Sequence, residues 1–392
     1  MTERADVVIV GGGAVGSSIA YFLARDPGFG GKVIVVERDP TYKTASSALS
    51  ASSIRQQFST PTNIQLSRFG IDFLRAIGTH LEVDGEQPDI GLREPGYLFL
   101  ASPDGVRVLE ANHGVQTAYG ADVALLDPAD LAARFPWMST EGIARGSLGL
   151  SMEGWFDGYG LMQAFRHKAR ALGVTYLHAE AVGFERSDSR IDAVLLRDGS
   201  RITCGVAVNA AGPQAGKVAA LAGVTLPVEP RKRCVFVFDC KETLLRFPLL
   251  IDATGVWVRP EGPYFISGIS PPEERDPRDP DFEVDHGIFD DLVWPALAHR
   301  VPAFETIKVV NSWVGHYEYN TFDHNGIVGP HPELRNFLFA NGFSGHGIQQ
   351  SPATGRAIAE LIIHGRYLTI DLTPFSFDRI PANRPVREIN VV

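Results

Sequence analysis

Short apolar stretches set the pattern of this chain. Residues 7–10 (Val-Val-Ile-Val) form a continuous β-branched run, as expected of a strand covered on both faces. Ile19, Phe22 and Leu23 then share one face at helical spacing, and residues 33–36 repeat the buried-strand run. Strand, turn, helix and strand thus follow one another at the start of the chain. Further on, residues 191–201 read as a hairpin, and residues 207–212 as a short buried strand running into a glycine turn. Residues 233–239 and 255–269 alternate in the strand manner between turn residues. Residues 337–347 predict a strand leading into a glycine-rich loop. A helix follows, with Ala357, Ile358, Leu361 and Ile362 inward and Gly365 as its cap.

The glycines of the opening unit have the spacing of a dinucleotide site. Gly11 permits a tight turn, Gly13 lets the backbone approach a pyrophosphate, and Gly16 lets the helix pack against the strand. The helix start offers that pyrophosphate unpaired N–H groups and partial positive charge. Glu37 ends the second strand where a carboxylate accepts hydrogen bonds from the adenosine ribose, which disfavours a 2′-phosphate and hence NADP. The motif alone does not choose between FAD and NAD. Residues 44–55, small and hydroxyl-rich, form a loop able to lie against a ring system or a diphosphate.

Composition narrows the classes of partner. A net charge of −10 gives a nucleic-acid partner no electrostatic support. With 392 residues the chain suits two domains, or one large domain with a second threaded through it. Cys204, Cys234 and Cys240 lack metal-ligand spacing and read as unpaired thiols, and no metal site is expected. No apolar run approaches the roughly 20 residues that cross a bilayer, and the first strand begins almost at Met1, so a cytoplasmic protein without a signal peptide is expected.

Taken in order, these pieces resemble the D-amino-acid-oxidase-like superfamily of FAD-dependent oxidoreductases over nearly the whole chain. Residues 47–67, 319–330 and 342–350 look like a narrower branch. It holds bacterial sarcosine- and iminodiacetate-type amine oxidases and a mitochondrial FAD-dependent protein that helps assemble respiratory complex I. The resemblance implies an α/β fold: a Rossmann-like FAD-binding domain of the GR2 type, from residues 1–80, 152–224 and 323–392. An interleaved, mostly antiparallel substrate domain would come from residues 81–151 and 225–322. It also implies bound FAD, held noncovalently. The cofactor residues would be Gly11, Gly13, Ala14, Val15, Gly16, Glu37, Arg38, Ser46, Ser47, Ser53, Ala210, Ala211 and Gly212. Val182 would lie at the adenine, and Gly342, Ser344, Gly345, His346, Gly347, Ile348 and Gln349 at the flavin end.

The implied chemistry is oxidation of a secondary amine or N-substituted amino acid: a hydride leaves the α-carbon for flavin and the imine hydrolyses. The protein must aim the carbon, neutralise the carboxylate and stabilise negative charge on reduced flavin. Arg55, in an otherwise uncharged loop, is the expected carboxylate anchor, as an arginine is in sarcosine-oxidase-like relatives. Tyr264, Tyr317, Tyr319, His346 and Gln349 are the other substrate candidates.

Departures from the family pattern qualify this. Tyr317 stands where many amino-acid oxidases carry arginine, and Gln349 where sarcosine-oxidase relatives carry lysine. Residues 264–269 lack the lysine that promotes reaction with dioxygen. Either dioxygen or another electron acceptor is therefore open. His316 replaces the cysteine that bonds flavin in some relatives, which leaves a histidyl–flavin link as a minor alternative. Two other functions stay open: a 2-hydroxy-acid dehydrogenase, and a flavoprotein that mainly binds a partner. Residues 271–285, rich in charge and proline, read either as a mobile loop over the site or as a plain solvated loop.

Overall fold

The computed structural model describes residues 2–278 and 280–390. Two eight-stranded sheets organise them. In the first, Thr2–Val10 lies between Val33–Glu37 and Arg201–Asn209, parallel to both. Thr175–His178 extends the parallel order on one side and Phe337–Asn341 on the other. The hairpin expected near residues 191–201 is present, with Arg190–Leu196 antiparallel to Arg201–Asn209. Alternation along the opening strand builds two layers. Val7 and Ile9 pack into the cluster that holds helices Ala14–Arg25, Gly158–Ala171 and Gly347–His364, whereas Val8 and Val10 pack with Ala215 and Ala219 on the other face. This is the α/β, Rossmann-like arrangement that the sequence predicts.

The second sheet runs, in spatial order, Lys308–Asn320, Val228–Asp239, Tyr264–Gly268, Trp257–Glu261, Leu249–Ile251, Tyr97–Ala101, Arg145–Gly149 and Val123–Leu126. All its pairings are antiparallel except Leu249–Ile251 with Tyr97–Ala101. One face buries Phe236, Phe238, Phe265 and Val314 against helix Trp294–Arg300. The other carries Val235, Val237, Ile266, Trp257 and Trp313 and faces Ala51 of the serine-rich loop. This second face roofs the cavity described below.

The final helix behaves as its pattern predicts. Ala357 and Ile358 are buried, Leu361 and Ile362 pack at its margin, and Gly365 caps it in the left-handed conformation (φ 69°). Beyond it the chain returns to the body of the protein. Arg379 is buried against Asp323 (2.7 Å), and Glu388 lies fully inside.

Candidate active site

A cavity of 570 Å³ runs from the opening glycine turn to the face of the second sheet. At one end Gly11 donates its N–H to Val36 O (2.9 Å) with φ 104°, a conformation that a side chain would strain. Helix Ala14–Arg25 then begins with the bond from Ser17 N to Gly13 O (2.8 Å), so the N–H groups of Ala14, Val15 and Gly16 precede its first internal bond. Ser47 Oγ accepts from Ala14 N (3.0 Å), which fastens the serine-rich loop to the helix start. Glu37 accepts from Gly12 N (2.8 Å) and Asp39 N (2.9 Å), and its carboxylate lines the cavity.

Of the predicted cofactor residues, Gly11, Gly13, Ala14, Val15, Glu37, Arg38, Ser46 and Ser47 line this cavity. So do Val182, Ala210, Ala211, Gly212, Gly345, Gly347 and Ile348. Gly16, Ser53, Gly342, Ser344, His346 and Gln349 do not reach it. Gly16 is turned into the strand, and Ser53 pairs with Trp155 in a small two-stranded sheet. Gly342 N donates to Glu318 Oε2 (3.1 Å) and Ser344 Oγ accepts from Asn320 N (3.0 Å), so these two shape the loop. Arg197 and Lys217, which the sequence reading did not single out, add positive charge beside Val182 at the nucleotide end. An amide-lined helix start and a ribose-competent carboxylate fit a dinucleotide diphosphate.

The substrate candidates divide sharply. Tyr317 lines the cavity; Arg55, Tyr264, Tyr319, His346 and Gln349 do not. Tyr264 sits at a strand end paired with Glu261 and is 39% exposed, so its hydroxyl belongs to the surface. Tyr319 spends its hydroxyl on His324 Nε2 (2.9 Å). Arg55 is buried behind the cavity. Its guanidinium contacts Gln57 O (3.3 Å), His346 Nε2 (2.8 Å) and, very closely, Asn390 O of the C-terminal segment. Phe58 and Phe99 pack on the same group at 4.5 and 5.2 Å. Burial, then the Arg55 charge, hold the His346 pKa far below the usual range, so a neutral His346 accepts from Arg55. Gln349 Oε1 accepts from Arg55 N and Ser67 Oγ, both at 3.0 Å. Arg55, His346 and Gln349 are thus brought together, but as the cavity's backing.

The residues that complete the roof are Arg233, Val235, Trp257, Ile269 and Ser270. The alternation of residues 233–239 marked the strand but not which of its faces meets the cavity. His316 also lines the cavity, stacked on Phe282 (ring centroids 4.0 Å apart) and donating from Nε2 to Asp281 O (2.8 Å). Burial lowers its pKa, which keeps the ring neutral. Glu318 also lines the cavity, against Gly347. Burial raises its carboxyl to about 8 against the N–H bonds from Gly342 and Phe343.

Glu153 braces the loop from beneath. It is fully buried and accepts from Gln56 N (2.6 Å), Gln57 N (3.1 Å) and Gln57 Nε2 (2.8 Å). Burial nevertheless pushes its carboxyl up to about 7. A raised carboxyl pKa means that folding takes up a proton, so stability falls as pH rises from the unfolded value to about 7. Relative to the native protein, Glu153→Gln should therefore gain up to about 3 kcal/mol across that window. Denaturant melts of both proteins at pH 5 and pH 7 check this; a constant difference would refute it.

Fold and cavity together define a dinucleotide-binding protein, and comparison with known proteins makes its class that of the FAD-dependent oxidoreductases. The chain belongs to the DAO family of FAD-dependent oxidoreductases, whose model matches residues 6–361. It is 48% identical to FAD-dependent oxidoreductase domain-containing protein 1 of Xenopus laevis, over 100% of this chain and 85% of that protein. It is 30% identical to glycine oxidase of Geobacillus kaustophilus, over 97% of this chain and 98% of the other. Among solved structures, L-proline dehydrogenase from P. horikoshii superposes with a TM-score of 0.87, covering 98% of this chain and 100% of that one at 24% identity, a likeness of fold. No helix among the described residues is long and apolar enough to cross a membrane.

Proposed function

We propose that this protein oxidises the C–N bond of a small secondary amine or N-substituted amino acid, with noncovalently held FAD as the hydride acceptor. The observation that carries this reading is the continuity of the cavity. One space joins the dinucleotide turn to a roof of Val235, Trp257 and Ile269, with the cationic head of Arg233 among them. Apolar walls with one charged corner suit a small amphoteric substrate better than an extended polar one. Bound FAD supplies an electron-pair acceptor. The chain supplies the rest: Ser47 and the helix start hold the diphosphate, the roof excludes water, and Tyr317 fixes the side wall. The similarity to a glycine oxidase along nearly the whole chain supports a small amine-bearing acid as substrate.

The test is an anaerobic titration of the purified yellow protein with N-substituted amino acids and 2-hydroxy acids, added singly. Bleaching of the flavin by an amine is the expected result. Bleaching by a hydroxy acid alone would replace amine oxidation with alcohol oxidation. A flavin that nothing bleaches would favour a partner-binding role. Admitting air after bleaching separates an oxidase from a dehydrogenase.

A further inference from the structure

Arg233 is placed unlike the other buried arginines of this protein. It is 7% exposed, lies on strand Val228–Asp239 and points into the cavity roof. Its Nη1 donates to Lys232 O (2.7 Å) and Asp276 Oδ1 (3.0 Å), while its Nε, although buried, has no partner. The neighbouring strand pairs Gly268 with Val235 and ends there, and Ser270 follows two residues on. Ser270 also lines the cavity, and its buried hydroxyl is unpartnered too. The Tyr317 ring lies under the guanidinium, 5.0 Å from centroid to Cζ, and is backed by Gly345, where even a methyl group would collide with it. A guanidinium and a hydroxyl in the same roof, each with an uncommitted donor, together with the aromatic floor under the guanidinium, fit a small anion.

We propose that Arg233 and Ser270 anchor the carboxylate of the small organic acid that this site binds, and that Asp276 competes with that carboxylate for the guanidinium. This deepens the reading of the site as one for N-substituted amino acids. Arg55 does not line the cavity and spends Nη1 on Gln57 O and Nη2 on His346 and Asn390 O behind it. The competition follows from position. Asp276 belongs to the charged segment between the roof strand and helix Trp294–Arg300, and its carboxylate pairs with the same Nη1 that Lys232 O accepts from, so it already supplies a counter-charge to the guanidinium. An entering carboxylate must share or displace it, which couples ligand binding to the placement of that segment.

Propionate and its isostere propionamide probe the site without turnover, read as perturbation of the bound-flavin absorbance of the FAD-loaded protein. Propionate should bind and propionamide should bind far more weakly. Arg233→Met should weaken propionate roughly 30-fold or more, the usual consequence of truncating one partner of a buried charge pair. Asp276→Asn, which keeps an acceptor oxygen but removes the competing charge, should tighten propionate roughly tenfold. A structural role for Arg233 would predict no tightening in Asp276→Asn. Wild-type propionate affinity in an Arg233→Met protein with its full flavin complement overturns the proposal. Should Arg233→Met fail to hold FAD, unchanged affinity in Asp276→Asn overturns it instead. Because no step of this assay is chemical, an anchor can stand when no amine reduces the flavin, and amine oxidation can stand when the anchor fails.

Discussion

Gly16→Ala is expected to yield protein that purifies colourless and melts early. A Cβ at Gly16 would stand 1.9 Å from the carbonyl oxygen of Gly11 and 3.0 Å from its carbon, and both are main chain. Neither can swing aside, because Gly11 N is bonded to Val36 O and Ala210 N to Val10 O on the two flanking strands. The helix start must therefore move away from the turn, carrying the N–H groups of Ala14 and Val15 out of register with Ser47 and Glu37. Overpacking of this kind costs about 1–3 kcal/mol, and the damage falls on the elements that line the diphosphate end. The ratio of visible to ultraviolet absorbance after purification measures it. Gly30→Ala is the control: a methyl group there meets nothing within 4 Å, so flavin content should be unchanged. Full flavin in Gly16→Ala would mean that the cofactor is not held by this turn.

That turn was legible because its determinants are local. The apolar run, the three glycines and the distal Glu37 lie within one strand–helix–strand unit, and each answers to a steric rule of the backbone. The α/β fold class is what the family resemblance carried by this unit and the later segments implies. The final helix was equally plain in its periodicity and its capping glycine. Helix Pro61–Arg75 and strands Tyr97–Ala101, Val123–Leu126 and Arg145–Gly149 were not outlined beforehand. The pairing of Tyr97–Ala101 with Leu249–Ile251, far along the chain, shows why local pattern says little about such strands.

The substrate end was hidden for a different reason. An arginine alone in a small polar loop invites a ligand role, but Arg55 is occupied by His346 and Asn390, each hundreds of residues away in sequence. No spacing rule reports such partners. His346 and Gln349 face the buried side of their loop, whose turn through Ser344 (φ 50°) and Gly345 (φ 97°) leaves Gly345 and Gly347 lining the cavity instead. Arg233 was inside a correctly outlined strand. Alternation divides a strand into two faces, and only the packing of Phe236 and Phe238 below decides that Arg233 and Val235 look into the cavity. Tyr264 shares the face of Ile266 but stands at the exposed end of its strand.

Glu388→Ala is expected to cost at least about 3 kcal/mol of stability. Glu388 is fully buried and accepts from Ser59 N (2.9 Å), Ser59 Oγ (2.6 Å), Thr60 N (3.1 Å), Asn63 Nδ2 (2.9 Å) and Asn390 N (3.0 Å). Its removal strands these donors and frees the segment whose Asn390 carbonyl meets Arg55. Burial pushes the Glu388 carboxyl up, but the hydrogen bonds from Ser59 and Asn63 and the Arg55 charge outweigh it and hold the pKa below the usual carboxylate value. A lowered carboxyl pKa stabilises the fold above the unfolded value and loses that contribution as pH falls through the folded one. The native protein should therefore soften in acid through this group, and Glu388→Ala should narrow its deficit there. Melting temperatures of the two proteins at neutral pH and near pH 4 read both effects, about 3 °C or more apart at neutrality for a chain of this size. Equal melting at neutral pH would mean that the C-terminal segment is a passenger. A deficit that narrows in acid would mean that the ionised carboxylate is what holds Arg55 and the serine-rich loop to the end of the chain.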